Sequence, residues 1–312
     1  MRILGTGSAV PAFTLENERL TEFLDTSDEW IRTRTGICSR QIMTDETILQ
    51  LGAQAARNAL ENAGLSAADV DYILCSTVQA DTVTPSLACL LQKKIGASCP
   101  AVDINGACSG FIYALDLADA YLKAGKAQRM LVVCAESMSR IADWTDRSTC
   151  VLFGDGAGAA VFELAQGAVF AATLGARGDD AIRAGGPNLT GSSPIEMDGK
   201  AVFRFAVGAL PRCLNTVLDE THLTLDELDW VVCHQANSRI IDHCVRHLGA
   251  DPAKFYKNMD RHGNTSAASI PVALNEMAES GLLIPGQTVA CVGFGGGLTW
   301  AGMLLQYKGA EQ

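Results

Sequence analysis

Three side chains of this sequence combine a reactive type with a position that exposes it. Cys108 follows the run Asp103-Ile104-Asn105-Gly106-Ala107 and opens a helical pattern whose apolar positions are Phe111, Leu115, Ala118 and Leu122. A sulfur at a helix start faces free backbone N–H groups and the positive end of the helix dipole, which favours thiolate. The small neighbours Gly106, Ala107, Ser109 and Gly110 keep access open. His234 ends the apolar run Trp230-Val231-Val232-Cys233, the place where α/β proteins put chemistry. Asn264 stands between Gly263 and Thr265, in a second small-residue turn before a helix. Taken singly, each has a bland alternative: a packed inert cysteine, a satisfied core histidine, a turn residue. As a set, a nucleophile with two neutral hydrogen-bonding groups is far more specific.

The elements that must position them alternate. Short β-branched runs at 71–77, 101–104 and 129–135 read as strands, with helices at 49–63 and 110–123 between them. The pattern is α/β with largely buried strands. Residues 59–75 recur as 217–233, so that Asp71-Tyr72-Ile73-Leu74-Cys75 falls on Asp229-Trp230-Val231-Val232-Cys233, 158 positions apart. At that offset 130–134 falls on 288–292 and Cys108 on Ser266; with a shorter loop, 156–163 resembles 298–305. The period is too long for a solenoid, whose units are ~20–50 residues. Two similar halves, 1–165 carrying Cys108 and 166–312 carrying His234 and Asn264, are expected to meet at an interface where equivalent loops converge.

Composition bounds the rest. The 312 residues are about twice the modal domain length. With 48% hydrophobic and 19% charged residues they suit a compact chain rather than a disordered one. A balance of 24 basic and 35 acidic residues, net −11, opposes coating of nucleic acid or anionic lipid. No run reads as a signal sequence or a ~20-residue membrane span. Eleven cysteines, odd in number, without C-x-x-C and mostly inside apolar runs, point to reduced thiols and a cytoplasmic protein. Gly5-Thr6-Gly7 lacks the third glycine of a dinucleotide fingerprint, and Gly293-Phe294-Gly295-Gly296-Gly297 lacks the Lys of a phosphate loop. His243 and His247 have no accompanying metal-protease Glu, so neither metal nor cofactor is implied.

The runs Ala107-Cys108-Ser109-Gly110-Phe111, His234-Gln235-Ala236-Asn237-Ser238-Arg239, Gly263-Asn264-Thr265-Ser266-Ala267-Ala268-Ser269 and Gly295-Gly296-Gly297-Leu298-Thr299-Trp300 lie in order along the chain. With Thr26-Ser27-Asp28-Glu29-Trp30, Asp146-Arg147 and Phe153-Gly154-Asp155-Gly156, they make the sequence resemble β-ketoacyl-acyl carrier protein synthase III, the initiating condensing enzyme of type II fatty acid synthesis. The resemblance implies the thiolase fold, a duplicated αβαβα sandwich, in a homodimer. It implies that Cys108 takes an acyl group from acyl-CoA and that CoA leaves. His234 and Asn264 would then stabilise the enolate formed when malonyl-acyl carrier protein loses CO₂. The backbone N–H groups of Cys108 and Gly296 would form the oxyanion hole. A histidine is usual at the Asn264 position in elongating synthases, so Asn264 favours the initiating branch.

For CoA, the resemblance implies that Trp30 and Arg147 sandwich the adenine and that Thr26, Arg34, Gly199, Phe203, Ala236, Asn237 and Arg239 line the tunnel. The partner carrier protein is acidic, against the net charge of this chain; Arg239, His243 and Arg246 recur along one helix face and, with Arg204, offer a local basic stripe. Thr84 stands where acetyl-specific members carry a bulky aromatic that crosses the dimer interface, which implies an acyl pocket with room for a longer or branched primer. Competing readings are a starter-unit synthase of secondary metabolism, which dispenses with the carrier protein, and a silent CoA-binding or dimerisation module. A thiolase is disfavoured because the Gly-rich turn at 295–297 holds no second cysteine.

Overall fold

The computed structural model describes residues 1–185 and 194–309. Ten strands form its main sheet: β1 (Arg2–Ala9), β2 (Tyr72–Ser76), β3 (Ala101–Ile104), β4 (Arg129–Ser137), β5 (Asp155–Glu163), β6 (Ala171–Asp179), β7 (Trp230–Cys233), β8 (Phe255–Tyr256), β9 (Thr288–Gly295) and β10 (Gly297–Tyr307). The helices that pack on it are α1 (Asp28–Thr35), α2 (Ile48–Asn62), α3 (Leu87–Ile95), α4 (Gly110–Lys123), α5 (Gly199–Thr221), α6 (Ser238–Leu248) and α7 (Ser269–Glu279).

Strand order shows the duplication. The first half runs β3-β2-β4-β5-β1 and the second β8-β7-β9-β10-β6, the same order with the same mixture of parallel and antiparallel pairs. The halves join where Arg2 and Ile3 of β1 pair in parallel with Gln306 and Tyr307 of β10. Equivalent hydrogen bonds recur at equivalent places. Turns at Ala67–Asp69 and Leu225–Glu227 are each closed by a reciprocal cap, Ser66 with Asp69 and Thr224 with Glu227. Asp71 N–H donates to Arg129 O and Asp229 N–H to Thr288 O. Those last bonds correct the repeat: Arg129, not Met130, matches Thr288, so the second half is one residue longer from Asp229 to Thr288 than the first is from Asp71 to Arg129. Ala107 and Ser266, both at left-handed φ (47° and 52°), are then equivalent, and the counterpart of Cys108 is Ala267 rather than Ser266.

The layers follow from residue alternation. Met130 and Val132 of β4 face one cluster with Phe111 and Leu115 of α4 and Ile270 and Leu274 of α7, while Leu131 and Val133 face another with α2 and α3. In the second half Val289 and Cys291 join the first cluster, and Ala290 and Val292 pack under α5 and α6. A strand buried on both faces needs apolar residues at every position, which explains the continuous runs. The result is five layers, αβαβα, with α4 and α7 in the middle. Helix α5, 23 residues long, is by length and composition apolar enough to cross a membrane, which corrects the expectation that no run reads as a span. Here it is a core helix: Ala206, Leu210, Leu214 and Val217 pack on the sheet, and Arg204 is exposed.

Expected element positions differ from observed ones by at most two residues, because ladder hydrogen bonds extend past the apolar run; β4 continues to Ser137, and α2 starts at Ile48 behind the Thr47–Gln50 capping box.

Candidate active site

Cys108 lies in a one-turn 3₁₀ segment, Ala107–Ser109, that leads into α4. The left-handed φ of Ala107 costs an L residue ~1 kcal/mol or more, strain of the kind held at functional turns. The end of β9 passes so near that a Cβ on Gly295 would stand 2.6 Å from Cys108 N, and one on Gly110 would stand 1.9 Å from Ser76 Oγ. Glycine at both positions is what lets the nucleophile turn sit against its neighbours.

His234 is held by Ser269. Its Nδ1 is 2.8 Å from Ser269 Oγ, and the N–H of Gln235 donates to the same oxygen at 3.2 Å. In the tautomer in which the Ser269 hydroxyl donates to Nδ1, the imidazole proton sits on Nε2. Nε2 is buried without a partner. The ring is held edge-on by Phe294, centroids 5.5 Å apart. Burial pushes the His234 pKa down to about 3, so the ring is a neutral donor at physiological pH.

Asn264 is anchored by its backbone: its N–H donates to Leu152 O at 2.8 Å and its carbonyl accepts from Gly154 N–H at 3.1 Å. Its Oδ1 accepts the N–H of Ser266 at 2.9 Å, which leaves the amide NH₂ for the cavity. Two neutral N–H donors, from His234 and Asn264, thus belong to one site. Cys108, His234 and Asn264 all line a cavity of about 310 Å³.

The cysteine departs from expectation. Burial pushes its thiol up to about 12; the Ser266 hydroxyl, 3.5 Å from the sulfur, works against that shift, and the charge of Glu136 adds to it. Desolvation therefore outweighs the helix start, and the resting group is a thiol rather than the thiolate the sequence suggested.

Seven of the residues expected to hold CoA, Trp30, Arg34, Gly199, Phe203, Ala236, Asn237 and Arg239, line the same cavity. Thr26 and Arg147 do not. Arg147 stacks directly on Trp30, 5.2 Å from guanidinium carbon to ring centroid, while a purine between them needs roughly 7 Å between planes. The expected sandwich is closed, with Arg147 held by the carbonyl of Asp25. Gly296 and Cys108, the expected oxyanion pair, meet in a second cavity of about 600 Å³ lined also by Val78, Ile182 and Ser266. Thr84 lines neither cavity and is exposed in its loop. Of the basic stripe, Arg204, Arg239 and Arg246 are exposed; His243 is half-buried against Phe203, and Asp242 pairs with Lys257 beside it.

Sequence reasoning gave no role to Ser269, Phe294 or Glu136. Ser269 was visible five residues after Asn264, but its bond to His234 depends on α7 meeting β7; Phe294 and Glu136 are apolar-strand positions whose neighbours are set by sheet register.

Comparisons with known proteins agree on one relationship. Residues 218–307 match the family model "3-Oxoacyl-[acyl-carrier-protein (ACP)] synthase III C terminal", and residues 102–178 match the model "3-Oxoacyl-[acyl-carrier-protein (ACP)] synthase III". A beta-ketoacyl-[acyl-carrier-protein] synthase III of Clostridium tetani is 42% identical, with 98% of each chain covered. The crystal structure of 3-oxoacyl-[acyl-carrier-protein] synthase III from Aquifex aeolicus superposes with a TM-score of 0.94 at 42% identity, covering 98% of this chain and 99% of that one. The priming beta-ketosynthase of the R1128 polyketide pathway superposes with a TM-score of 0.94 at 36% identity, covering 99% of this chain and 96% of that one.

Proposed function

Since the chain belongs to the 3-oxoacyl-[acyl-carrier-protein] synthase III family, we propose that it carries out the initiating condensation of fatty acid synthesis at Cys108, His234 and Asn264. An acyl-CoA acylates Cys108 and CoA leaves. Malonyl-acyl carrier protein then binds, loses CO₂, and the resulting carbanion attacks the acyl-Cys108 carbonyl to give β-ketoacyl-acyl carrier protein.

The observation that carries this reading is the pair of neutral donors beside the thiol. Decarboxylation moves negative charge onto the thioester oxygen, and Nε2–H of His234 with the amide of Asn264 supplies fixed dipoles where that charge develops. Neither group need gain or lose a proton, which suits a histidine held near pKa 3. The cavity that reaches Cys108 is lined by Trp30, Arg34 and Arg239, a ring and two cations suited to a nucleotide with phosphates. For the purine to enter, Arg147 must swing off Trp30. In the second step the Cys108 and Gly296 N–H groups would hold the tetrahedral oxyanion.

The protein would be a cytoplasmic homodimer. Eleven free cysteines suit a reducing compartment, and the exposed basic residues of α6 suit an acidic carrier protein. The likeness to a polyketide priming synthase favours a second reading, a starter-unit synthase. Incubation with a panel of acyl-CoAs, followed by either malonyl-acyl carrier protein or malonyl-CoA, separates them. Mass addition on Cys108 and a β-ketoacyl product only with the carrier protein is the expected outcome; condensation with malonyl-CoA alone supports the second reading, and an unmodified Cys108 overturns both.

A further inference from the structure

In the proposed reaction the tetrahedral oxyanion falls to two backbone N–H groups, those of Cys108 and Gly296, on segments far apart in sequence. Cys108 sits in the turn before α4, and Gly296 in the reversal between β9 and β10. Such a hole works only if its donors keep one separation and one aim while charge develops between them. Neither residue secures that by itself. The Cys108 side chain is the nucleophile, and Gly296 has no side chain to pack.

Thr299, on β10 just beyond Gly296, touches both segments. Its Oγ1 is 3.2 Å from Gly106 O, 3.2 Å from Ser109 Oγ and 3.3 Å from Gly296 O. Gly106 and Ser109 stand on either side of Cys108 in the nucleophile turn, and the third partner is Gly296 itself. Gly106 O also accepts the N–H of Ser109 at 3.2 Å, which closes the turn. Ser109 is fully buried and Thr299 nearly so, which leaves little water to compete for these bonds. The Thr299 backbone is fixed as well, because β10 pairs it with Gly295 on one side and with Ala176 of β6 on the other. Its methyl lies against Gly297, where a Cβ would stand 2.9 Å from Thr299 Cγ2. A β-branched side chain is stiff about its first torsion, so placing the methyl aims the hydroxyl. A buried hydroxyl needs a single acceptor to be satisfied; partners on two separate segments make it a cross-brace.

We propose that Thr299, assisted by Ser109, is a positioning residue that holds the N–H groups of Cys108 and Gly296 at the separation a tetrahedral oxyanion needs. The inference rests on the proposed acylation of Cys108 and deepens it. The brace acts wherever the acyl carbonyl turns tetrahedral: when Cys108 attacks the CoA thioester, and when the malonyl-derived carbanion attacks acyl-Cys108. It has no part in a reaction of the thiol that puts no charge on a carbonyl oxygen. Alkylation by iodoacetamide is of that kind, since its negative charge leaves on iodide.

Thr299→Val keeps the shape of the side chain and removes the hydroxyl. At saturating acyl-CoA its rate of Cys108 acylation should be ~10-fold or more below wild type, with KM within about 2-fold, because the lost interaction serves the transition state. Alkylation of Cys108 by iodoacetamide, followed by peptide mass, should stay within about 2-fold of wild type. Thr299→Ser restores the hydroxyl and should recover most of the acylation rate, and Ser109→Ala should fall between wild type and Thr299→Val. Acylation and alkylation slowed alike would show a generally disturbed turn, and unchanged acylation in a folded Thr299→Val would show no role; either overturns the proposal. Should Thr299→Val fail to fold, the same comparison in Ser109→Ala decides. p-Nitrophenyl acetate, which acylates a thiol without CoA, separates this inference from the proposed reaction. Acylation by the ester that depends on Thr299, with none from any acyl-CoA, keeps the brace and sinks the reaction; acylation by acyl-CoA indifferent to Thr299 does the reverse.

Discussion

At the scale of single residues, the site separates its two tasks by protonation. Cys108 must lose a proton to act, and burial opposes that; His234 must keep one proton and gain none, and burial secures it. Substituting His234 or Asn264 by Ala should therefore lower decarboxylation ~100-fold or more, the usual loss on removing one oxyanion donor, and leave acylation of Cys108 within a few fold. Rapid-quench assays of ¹⁴CO₂ release and of acyl-enzyme measure the two steps; equal losses in both would show that the roles are divided wrongly. The depressed His234 has a stability consequence as well. The unfolded histidine, near pKa 6.5, binds a proton that the folded one refuses, so stability falls as pH drops from about 6.5 toward 3. The types and positions of all three residues were legible in sequence. The charge state of Cys108 was not, because it is packed against the Ser266–Ala268 turn and β9, segments more than 150 residues away.

At the scale of elements, the turn that carries Asn264 is braced from behind. His262 bridges Gln41, 2.8 Å from Nδ1, and Glu276 of α7, 2.6 Å from Nε2. Glu276 also accepts from Asn258 at 2.6 Å and Arg261 at 3.2 Å. Burial would raise this carboxyl, but His262, Asn258 and Arg261 together hold it down at about 2. The folded value lies below the unfolded one, so its contribution is present above about pH 4.3 and is lost as pH falls toward 2. Glu276→Gln should lower stability by about 1–3 kcal/mol at pH 7, with the deficit shrinking below pH 4. Urea denaturation at a series of pH values measures this, and a deficit independent of pH would contradict it. Sequence showed the Gly263-Asn264-Thr265 turn but not its support. Gln41, Asn258, His262 and Glu276 converge only because the Ser39–Gln41 strand and α7 flank the same loop.

At the scale of the whole molecule, the sheet ends in an edge. Strand β3 has a neighbour on one side only, Val102 on it is 40% exposed, and Val83 in the loop before α3 is 81% exposed. Unprotected strand edges with apolar side chains are normally covered. A homodimer of the kind proposed would cover this one, with Thr84 beside the interface. Val102→Lys combined with Val83→Asp should then give a monomer by light scattering and weaken acylation by acyl-CoAs longer than acetyl. A variant that stays dimeric would place the interface elsewhere.

What the sequence determined by itself was everything written in local order: runs buried on both faces, helix starts, turn residues, and a repeat strong enough to show two copies of one unit. Those signals are local because they report periodicity and backbone preference. The tertiary structure alone decided the one-residue slip that pairs Ala107 with Ser266, the serine that bonds His234, the closed stack of Arg147 on Trp30, and the buried carboxyl of Glu136 on Val78. Each depends on which atoms of distant segments come within hydrogen-bonding or stacking distance, and that is set by how the two halves of the sheet close on α4 and α7.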